Sequence, residues 1–344
     1  MSLHRRLLIL LVAVVLLGGV AVAAVVRAGD RAHEKDREQA GGPRVAPGPV
    51  SLAAAGGGRR LVFRNMAWGP HRDELATVPA EDPRAPRTAS GVSCLRLHAA
   101  AGTGICLQSV KGGAGVQDGY RAVVLDASLR ELAAHPLAGI PTRARVSPGG
   151  HLAAWTVFVG GDSYAGTDFS TRTSVLDLRT GRLEASLEDY AIRKDGRIHK
   201  AVDVNFWGVT FTPDEQGFYA TLATGGTTYL VRGDLAARTV TTLRENAECP
   251  SLSPDGTRIA FKKRIPGRPA EAPWQLHVLD LATGAETPLA EQRSVDDQAV
   301  WLDDRTVAYA LPGDFGADLY AVPADGSGAP ARFMDAALAP ALLG

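Results

Sequence analysis

The segment of this chain that comes nearest to a catalytic motif is Gly161-Asp162-Ser163-Tyr164-Ala165-Gly166. It departs by one residue from Gly-x-Ser-x-Gly, which holds a nucleophilic serine on a tight turn between a strand and a helix of an α/β sheet. The residues around it show no alternation of strands and helices. We therefore interpret the segment as a polar loop and predict no catalytic serine.

Histidines and glycines give no metal or cofactor motif either. The eight histidines, at positions 4, 33, 71, 98, 135, 151, 199 and 277, lack the close i,i+2 or i,i+4 spacing of common metal sites. The glycines at 112, 113 and 115 lie in a polar stretch that does not follow a strand, so they are not a phosphate-binding loop. The sequence predicts neither a metal nor a cofactor.

Three cysteines are too few for a disulfide scaffold or a multi-cysteine zinc module. Cys94 and Cys106 flank one predicted hairpin, and an exported location would permit a disulfide between them. A bridge needs Cα atoms within about 7 Å, and the register of the turn is open by a residue or two. Two alternatives therefore stand, a Cys94–Cys106 disulfide or two buried thiols, with Cys249 unpaired in either case.

The charge balance excludes one class of partner. The 344 residues contain 37 Lys and Arg against 37 Asp and Glu, so the formal net charge is zero. Because binding to nucleic acid depends mainly on neutralising phosphates, we predict no nucleic-acid partner. The hydrophobic fraction of 45% is enough to build a core and excludes wholesale disorder.

The N-terminus has the pattern of a membrane element. Arg5 and Arg6 precede an apolar run, Leu7–Val26, which Arg27 closes. Twenty helical residues span about 30 Å, the thickness of a bilayer's hydrocarbon core. We predict a single transmembrane helix in residues 1–27, acting as a signal anchor in the cytoplasmic membrane with the C-terminal part outside the cytoplasm. The alternative is a signal peptide cleaved near Ala21-Val22-Ala23, which would release an exported protein.

Residues 28–50, first charged and then rich in Pro and Gly, are predicted to be a flexible linker.

The remainder of the chain, 51–344, repeats one turn between two apolar segments. In its fullest form the turn is Ser253-Pro254-Asp255-Gly256, followed by the strand Ile259-Ala260-Phe261. Proline presets the backbone of such a turn, and Asp and Gly tolerate its positive φ. The other copies, increasingly degenerate, are Ser147-Pro148-Gly149-Gly150, Thr212-Pro213-Asp214-Glu215, Leu302-Asp303-Asp304-Arg305, Ala101-Gly102-Thr103-Gly104 and Gly56-Gly57-Gly58.

A second hairpin follows each copy, so each repeat is a four-stranded meander. Successive turns lie 41 to 65 residues apart, which is typical of the blades of a β-propeller. We therefore predict an all-β, six-bladed β-propeller over 51–344, preceded by the single N-terminal transmembrane helix. The longest step reflects two insertions, near 160–171 and 190–201. We expect the C-terminal strand, around Ala339–Leu343, to complete the first blade and close the ring.

The repeat Ser-Pro-Asp-Gly-x-x-Ile-Ala-Phe, followed by Leu-x-Val-x-Asp and a Thr-Gly turn, resembles the WD-like repeats of bacterial TolB-type propellers. It also resembles the propellers of prolyl-oligopeptidase-class enzymes. The resemblance extends from about residue 60 to 344 and is clearest in the fifth blade. TolB carries an α/β domain before its propeller, and the peptidases carry a hydrolase domain. Neither is expected here, so the resemblance implies the fold and does not by itself imply translocation or peptidase activity.

Propellers bind ligands around the axial channel, at the face where connections between blades enter the innermost strands. We assign Lys263 and Arg264, which follow Lys262 in one hairpin, as hydrogen-bond donors to a ligand, together with Arg143. Asp203, Asp296 and Asp297 are assigned as acceptors. The full set of axial-face candidates is Arg143, Asp162, Tyr164, Asp203, Asn205, Glu248, Lys263, Arg264, Asp296, Asp297 and Gln298. The alternative is a solvated polar rim whose charges pair with one another.

These observations predict a monomeric, membrane-tethered scaffold that binds a cell-envelope protein or peptide at the axial face. The alternative is a propeller-type hydrolase or lyase acting on glycans or small molecules. A carboxylate pair about 5–10 Å apart across a cleft would favour the enzyme. We predict the binding module rather than the enzyme.

Overall fold

The structure, a computed structural model, describes residues 3–38, 41–54, 56, 58–112, 118–159 and 170–344. In the N-terminal half, the elements are α1 (Leu3–Lys35), β1 (Val45–Pro47), β2 (Arg60–Asn65), β3 (Glu74–Pro79), β4 (Arg87–Ser93), β5 (Arg96–Ala100), β6 (Thr103–Val110), β7 (Gly119–Leu125), β8 (Glu131–Leu137), β9 (Ile140–Val146), β10 (Leu152–Phe158), β11 (Thr171–Asp177), β12 (Arg182–Glu184), a 3₁₀ turn (Leu187–Asp189), β13 (Ala191–Lys194) and β14 (Arg197–His199). In the C-terminal half they are β15 (Asn205–Phe211), β16 (Gly217–Thr224), β17 (Thr227–Asp234), β18 (Thr239–Glu245), β19 (Glu248–Leu252), β20 (Arg258–Arg264), β21 (Trp274–Asp280), β22 (Glu286–Pro288), β23 (Val300–Asp303), β24 (Thr306–Leu311), β25 (Asp318–Pro323), β26 (Ala331–Met334) and β27 (Ala337–Leu343).

Within those residues the strands form six sheets, which confirms the six-bladed propeller. Blades two to six are meanders that begin with the inner strands β5, β9, β15, β19 and β23. Blade one takes its inner strand from the other end of the chain: β27 pairs antiparallel with β2, with Arg60 opposite Leu343. The predicted closure by the C-terminal strand is therefore present. Each inner strand contacts the inner strand of the next blade, so the ring is complete.

The predicted turns join each inner strand to the second strand of its blade. In the fullest copy, the Gly256 amide donates to the Ser253 carbonyl at 2.9 Å. The Asp255 carboxylate accepts from the Ser253 hydroxyl at 2.5 Å and from the Thr257 amide at 3.0 Å. These bonds, led by the one from Ser253, lower the pKa of Asp255 to about 2. Proline, aspartate and glycine thus recur because each satisfies a separate demand of this turn.

Both faces of every blade are buried against neighbours, which explains why strands alternate large and small apolar residues. In β20, Phe261 packs with Leu230 of blade four, whereas Ala260 packs with Val307 of blade six. Each of the six blade interfaces has one such cluster. Because successive strand residues point to opposite faces, a charge at either position would be buried without a partner.

Helix α1 begins at Leu3 and continues to Lys35, beyond the predicted boundary at residue 27. In the part of the chain whose residues the structure describes, no helix is both long and apolar enough to cross a membrane. Two segments of the predicted linker, 28–50, have regular structure: the end of α1, and β1, which pairs parallel with β4 at the outer edge of blade one. A few residues after β1, Leu52 is fully buried, and its amide donates to the Ala127 carbonyl of blade two at 2.8 Å.

The insertion predicted near 190–201 adds two strands to the outer edge of blade four. There β13 pairs parallel with β18, and β14 pairs antiparallel with β13. The insertion predicted near 160–171 lies largely outside the described residues. It includes the near-catalytic motif and the site candidates Asp162 and Tyr164.

Candidate functional site

The N-terminal ends of the inner strands surround a small axial cavity of about 30 Å³. Its polar lining comes from three elements: the inner strands of blades two and three and the connection into blade six. The side chains are Arg96, His98, Thr142, Arg143, Arg145, Asp297 and Gln298, with Val300, Ala339 and Pro340 among the apolar lining. Three of the predicted candidates, Arg143, Asp297 and Gln298, are thus brought to one place.

The connection into blade six carries most of the contacts at this mouth, and we call residues 296–298 the axial segment. The Arg143 guanidinium of blade three donates to the Asp296 carbonyl at 2.9 Å. Gln298 donates across the axis to the carbonyls of Val209 and Pro250, at 3.2 and 2.7 Å. Arg96 of blade two lies 3.9 Å from the Asp297 carboxylate. The axial segment therefore links the inner strands of blades two to five.

The main cation beneath the axial segment is Lys262, not its predicted neighbour Lys263. Lys262 is fully buried, and its Nζ donates to the Asp296 carboxylate at 2.6 Å while lying 4.2 Å from the centre of the Trp274 ring. Although burial alone would lower the pKa of Lys262, electrostatic interactions with Cys249, then Asp296 and Glu248, raise it. Burial alone would likewise raise the pKa of Asp296, but the charges of Lys262 and Arg143 hold it below its ordinary value.

The structure does not bring Lys263, predicted as an axial donor, to the axial cavity. Its ammonium pairs with Glu286 of β22 at 2.5 Å, and Arg244 of blade four reaches the same carboxylate at 3.1 Å. Successive residues of β20 point to opposite faces of the blade, so Lys262 and Lys263 lie on opposite sides. Lys262 points to the side of the axial segment, and Lys263 points to the side of blade four.

Arg264 and Glu248 form a pair of their own at the start of the inner strand of blade five. The Arg264 Nε donates to Glu248 Oε1 at 2.7 Å, and its guanidinium stacks 4.8 Å from the Trp274 ring centre. Glu248 is fully buried. Neither residue lines the axial cavity. These two predicted candidates therefore support the mouth and do not form its surface.

Asp203 does not join Asp296 and Asp297 around one concavity, contrary to expectation. Its carboxylate accepts from the Gly225 amide at 2.6 Å and from the Thr224 hydroxyl at 2.9 Å, so it holds the β16–β17 turn of its own blade. These bonds, first that from Gly225, lower the pKa of Asp203. Asn205 accepts from the Thr171 amide at 2.7 Å and joins blades three and four. Both residues have structural roles.

Sequence reasoning missed the deepest polar pair of the channel, His98 of β5 and Arg145 of β9. Arg145 Nη1 lies 3.1 Å from His98 Nε2, and the Val146 amide donates to His98 Nδ1 at 3.1 Å. Burial, followed by the Arg145 charge, lowers the pKa of His98, and burial lowers the pKa of Arg145 to about 10. The signal was present, because Arg143 and Arg145, like Arg96 and His98, alternate along one face of a strand.

A second, larger cavity of about 280 Å³ lies at the opposite mouth of the channel. It is lined mainly by residues of the inner strands, including Trp301, and also by the predicted turns at Pro148, Pro213 and Pro254. His98 and Arg145 line both cavities and therefore occupy the waist between them.

The cysteine alternatives are resolved in favour of a bridge. Cys94 and Cys106 form a disulfide with a Cα–Cα distance of 5.3 Å, and Cys249 is a buried free thiol. Across the described ranges, no group of three or more His, Cys, Asp or Glu side chains is arranged to hold a metal ion.

Comparison with known proteins identifies the fold alone. No protein-family model and no curated protein sequence matches the chain. Among solved structures, TolB from Acinetobacter baumannii is 19% identical, with a TM-score of 0.54 over 83% of this chain and 66% of that one. A puromycin hydrolase is 15% identical, with a TM-score of 0.51 over 83% of this chain and 44% of that one. A chain of a nidogen/laminin complex is 10% identical, with a TM-score of 0.50 over 83% and 98%.

This chain thus has a six-bladed propeller fold similar to that of TolB. It spans just under two thirds of the TolB chain and less than half of the hydrolase. At these identities the neighbours do not supply a function.

Proposed function

We propose that this protein is a monomeric binding module for a cell-envelope protein or peptide, and that the axial face is its binding surface. The observation that carries the proposal is the convergence of cationic, anionic and amide side chains from several blades on one mouth. Such a mixed-charge surface complements a polar peptide or loop and fixes its orientation.

The size of the axial cavity supports docking of a partner over engulfment of a substrate. Sites that enclose small molecules usually have volumes of about 300–1,000 Å³. The cavity at the axial mouth is about 30 Å³, so it admits the tip of a side chain or a chain terminus. A partner would therefore contact the surrounding rim and insert one group.

The state of the axial carboxylates favours binding over hydrolase or lyase chemistry on glycans. Glycoside hydrolysis requires one carboxyl group whose pKa is raised so that it can donate a proton. The pKa of Asp296 is held low by Lys262 and Arg143, and Asp297 lies beside Arg96. Carboxylates that pair with cations in this way can accept hydrogen bonds from the polar groups of a partner. Turnover of a glycan at the axial face would support the enzymatic alternative instead.

We further propose that α1 tethers the propeller to the cytoplasmic membrane and that the propeller lies outside the cytoplasm. Large apolar side chains of α1 are exposed, including Leu17 at 70% and Val25 at 71%. Burying such a surface in lipid is favourable by about 25 cal/mol per Å². Leu17→Asp with Val20→Asp should move the protein from the carbonate-resistant membrane fraction to the soluble one. A mature protein whose mass lacks the first 23 or so residues would show that the segment is instead a cleaved signal.

The binding proposal is tested by capturing envelope proteins with the full chain and comparing two matched double variants. Arg96→Gln with Asp297→Asn removes a weak ion pair at the axial mouth without changing net charge. Arg121→Gln with Glu131→Gln removes a 3.1 Å pair from the outer strands of the same blade and is the control. We expect the first variant to lose capture of a specific partner at least tenfold and the second to retain it. Equal capture by both variants would refute the axial proposal.

A further inference from the structure

We propose that the axial mouth recognises a carboxylate, and that Arg145 and His98 are the residues that hold it. This inference rests on the proposed binding function and specifies the group that a partner inserts. The two side chains come from the inner strands of adjacent blades and line the axial cavity together. Neither was assigned a role by the sequence pattern.

The hydrogen bonds of His98 leave two donors facing each other. The Val146 amide donates to Nδ1 at 3.1 Å, so that nitrogen carries no proton. A neutral imidazole then has its proton on Nε2. Nε2 lies 3.1 Å from Nη1 of Arg145, and a guanidinium nitrogen can only donate. Two N–H groups therefore meet without an acceptor between them.

The other tautomer does not remove this conflict. If Nε2 accepted from Arg145, the proton would move to Nδ1 and oppose the Val146 amide. The backbone amide is fixed by β9, whereas the Arg145 side chain can turn toward an incoming group. An acceptor placed beside Nε2 and Nη1 would satisfy both donors at once, which the protein's own contact does not.

Arg145 provides a second, independent indication of a missing acceptor. The residue is only 8% exposed, and its Nε has no hydrogen-bond partner. Burying such a donor without a partner is costly, and the cost is greater on a charged group. The low pKa of His98, caused by burial and then by Arg145, agrees with the neutral imidazole that the geometry requires.

The surrounding charges favour an anion, and the volume favours a small one. Arg96 and Arg143 line the same cavity, and the opposing carboxylate there, Asp297, lies beside Arg96. A water needs about 10–15 Å³ of such space, so the 30 Å³ on the axial side holds two or three heavy atoms. A carboxylate has three and matches the planar guanidinium in two parallel bonds. Phosphate has five, so it could reach His98 and Arg145 only from the cavity of about 280 Å³ at the opposite mouth.

The test measures the thermal midpoint of the full chain in sodium acetate, sodium chloride or sodium phosphate at equal ionic strength. We expect acetate to raise the midpoint saturably, by about 2–4 °C above chloride, because a ligand that binds only the folded state stabilises it. Phosphate stabilises folded proteins generally by exclusion from their surface, so its effect should rise without saturation. Equal effects of acetate and chloride would overturn the proposal, and a saturable effect of phosphate larger than that of acetate would replace the carboxylate with a larger oxyanion.

Two variants assign the site. Arg145→Met should abolish the response to acetate, and Arg232→Met, at an exposed arginine of blade four, should leave it unchanged. An Arg145→Met protein that responds like the wild type would refute the site. If that variant fails to fold, a ¹⁵N spectrum of the wild-type arginine side chains is the readout. One Nε–H resonance should shift saturably with acetate, and none would shift if the proposal is wrong.

A peptide-binding experiment distinguishes a peptide C-terminus from a side-chain or free carboxylate. A capture experiment then distinguishes failure of this inference from failure of the proposed function. A pool of random hexapeptides with free C-termini should bind at least tenfold more tightly than the amidated pool if the group is a peptide terminus. Equal binding of the pools, with acetate still active, assigns it to an acidic side chain or a free acid. If Arg145→Met captures the envelope partner as well as the wild type, the carboxylate inference fails while the binding function stands.

Discussion

Lys262 shows how one strand position decides what a charged residue does. The sequence contains Lys262, Lys263 and Arg264 in succession, and charge alone does not say which of them points toward the axis. The inner strand of blade five shifts register against β20 between Glu248 and Ser251. The extra residue lies in the inner strand, where it places Glu248 opposite Lys262, and such a bulge has no clear sequence signal. The charged mouth was predictable from the loops, but its cation was not.

Replacing Asp296 should therefore lower the free energy of unfolding by more than the partial exposure of its side chain suggests. Asp296→Asn leaves the fully buried Lys262 ammonium without its carboxylate, and loss of a hydrogen bond to a buried charge costs about 2 kcal/mol. Urea denaturation should show this decrease in the free energy of unfolding. Asp195→Asn, which breaks an exposed 3.5 Å pair with Lys194, is the control and should change it by less than about 0.5 kcal/mol. Equal effects would mean that Lys262 does not depend on Asp296.

At the scale of the element, the turn of blade four explains why it departs from its repeat. Glu215 stands where the fullest turn has Gly256, and it keeps a positive φ of 56°, which is strained for a residue with a side chain. Its carboxylate crosses to the turn of blade three. There it accepts from the Ser147 hydroxyl at 2.5 Å, the Gly149 amide at 3.0 Å and His151 Nδ1 at 2.8 Å. At the position where the repeat departs from glycine, the Glu215 side chain thus links blade four to blade three. We call this contact of Glu215 with Ser147, Gly149 and His151 the latch.

The latch should give stability a measurable dependence on pH. Burial alone would raise the pKa of Glu215, but the bonds from Ser147 and His151 lower it below its ordinary value. A carboxyl group whose pKa is lowered by folding stabilises the protein fully above its unfolded pKa of about 4.3. That stabilisation is lost as the pH falls through the folded pKa.

Glu215→Gln should accordingly cost about 2 kcal/mol in the free energy of unfolding at pH 7, with the difference from wild type shrinking below about pH 4. Urea denaturation between pH 3 and 7 measures it. Glu271→Gln, at an exposed site, is the control and should track the wild type. A difference that is constant across this pH range would show that the charge of Glu215 does not act in the latch.

The Cys94–Cys106 disulfide also acts at the scale of the element, because it fixes the segment that leads into the inner strand of blade two. Cys94 and Cys106 are 12 residues apart, and closing a loop of that size stabilises by about 2–3 kcal/mol. The double change to alanine should lower the free energy of unfolding by that amount. Alkylation of the unfolded protein without reductant, followed by mass spectrometry, should label Cys249 alone. Labels on all three cysteines would contradict the bridge.

At the scale of the whole molecule, the ring is closed by joining the two ends of the chain. β27 supplies buried Ala341 and Leu343 to the interface of blades one and two, and Ala337 to that of blades six and one. Deleting 335–344 should lower the thermal midpoint by more than about 10 °C, since it removes a strand and opens the ring. Deleting Gly344 alone is the control and should have little effect. A truncated protein that melts within a degree or two of the full chain would disprove closure by β27.

Much of this architecture was predictable because a propeller repeats one meander, so turn spacing alone sets the number of blades. The additions to the repeat were not predictable. β1 pairs parallel with β4 although Val45–Pro47 contains a proline and lies in a Pro- and Gly-rich stretch. The β13–β14 hairpin pairs with a strand that lies far along the chain, at Thr239. Such non-local pairings depend on the assembled ring and leave no periodic pattern.

The most direct test of the axial binding surface is photo-crosslinking in intact cells. A photoreactive phenylalanine analogue would be placed singly at position 297 in the axial mouth, at 131 on the outer strands of blade two, and at 198 on the added edge of blade four. We expect adducts with an envelope protein or peptide from position 297 and none from the other two. Adducts from 131 or 198, with none from 297, would show that the partner binds the outer edge of the propeller and that the axial mouth is not the binding surface.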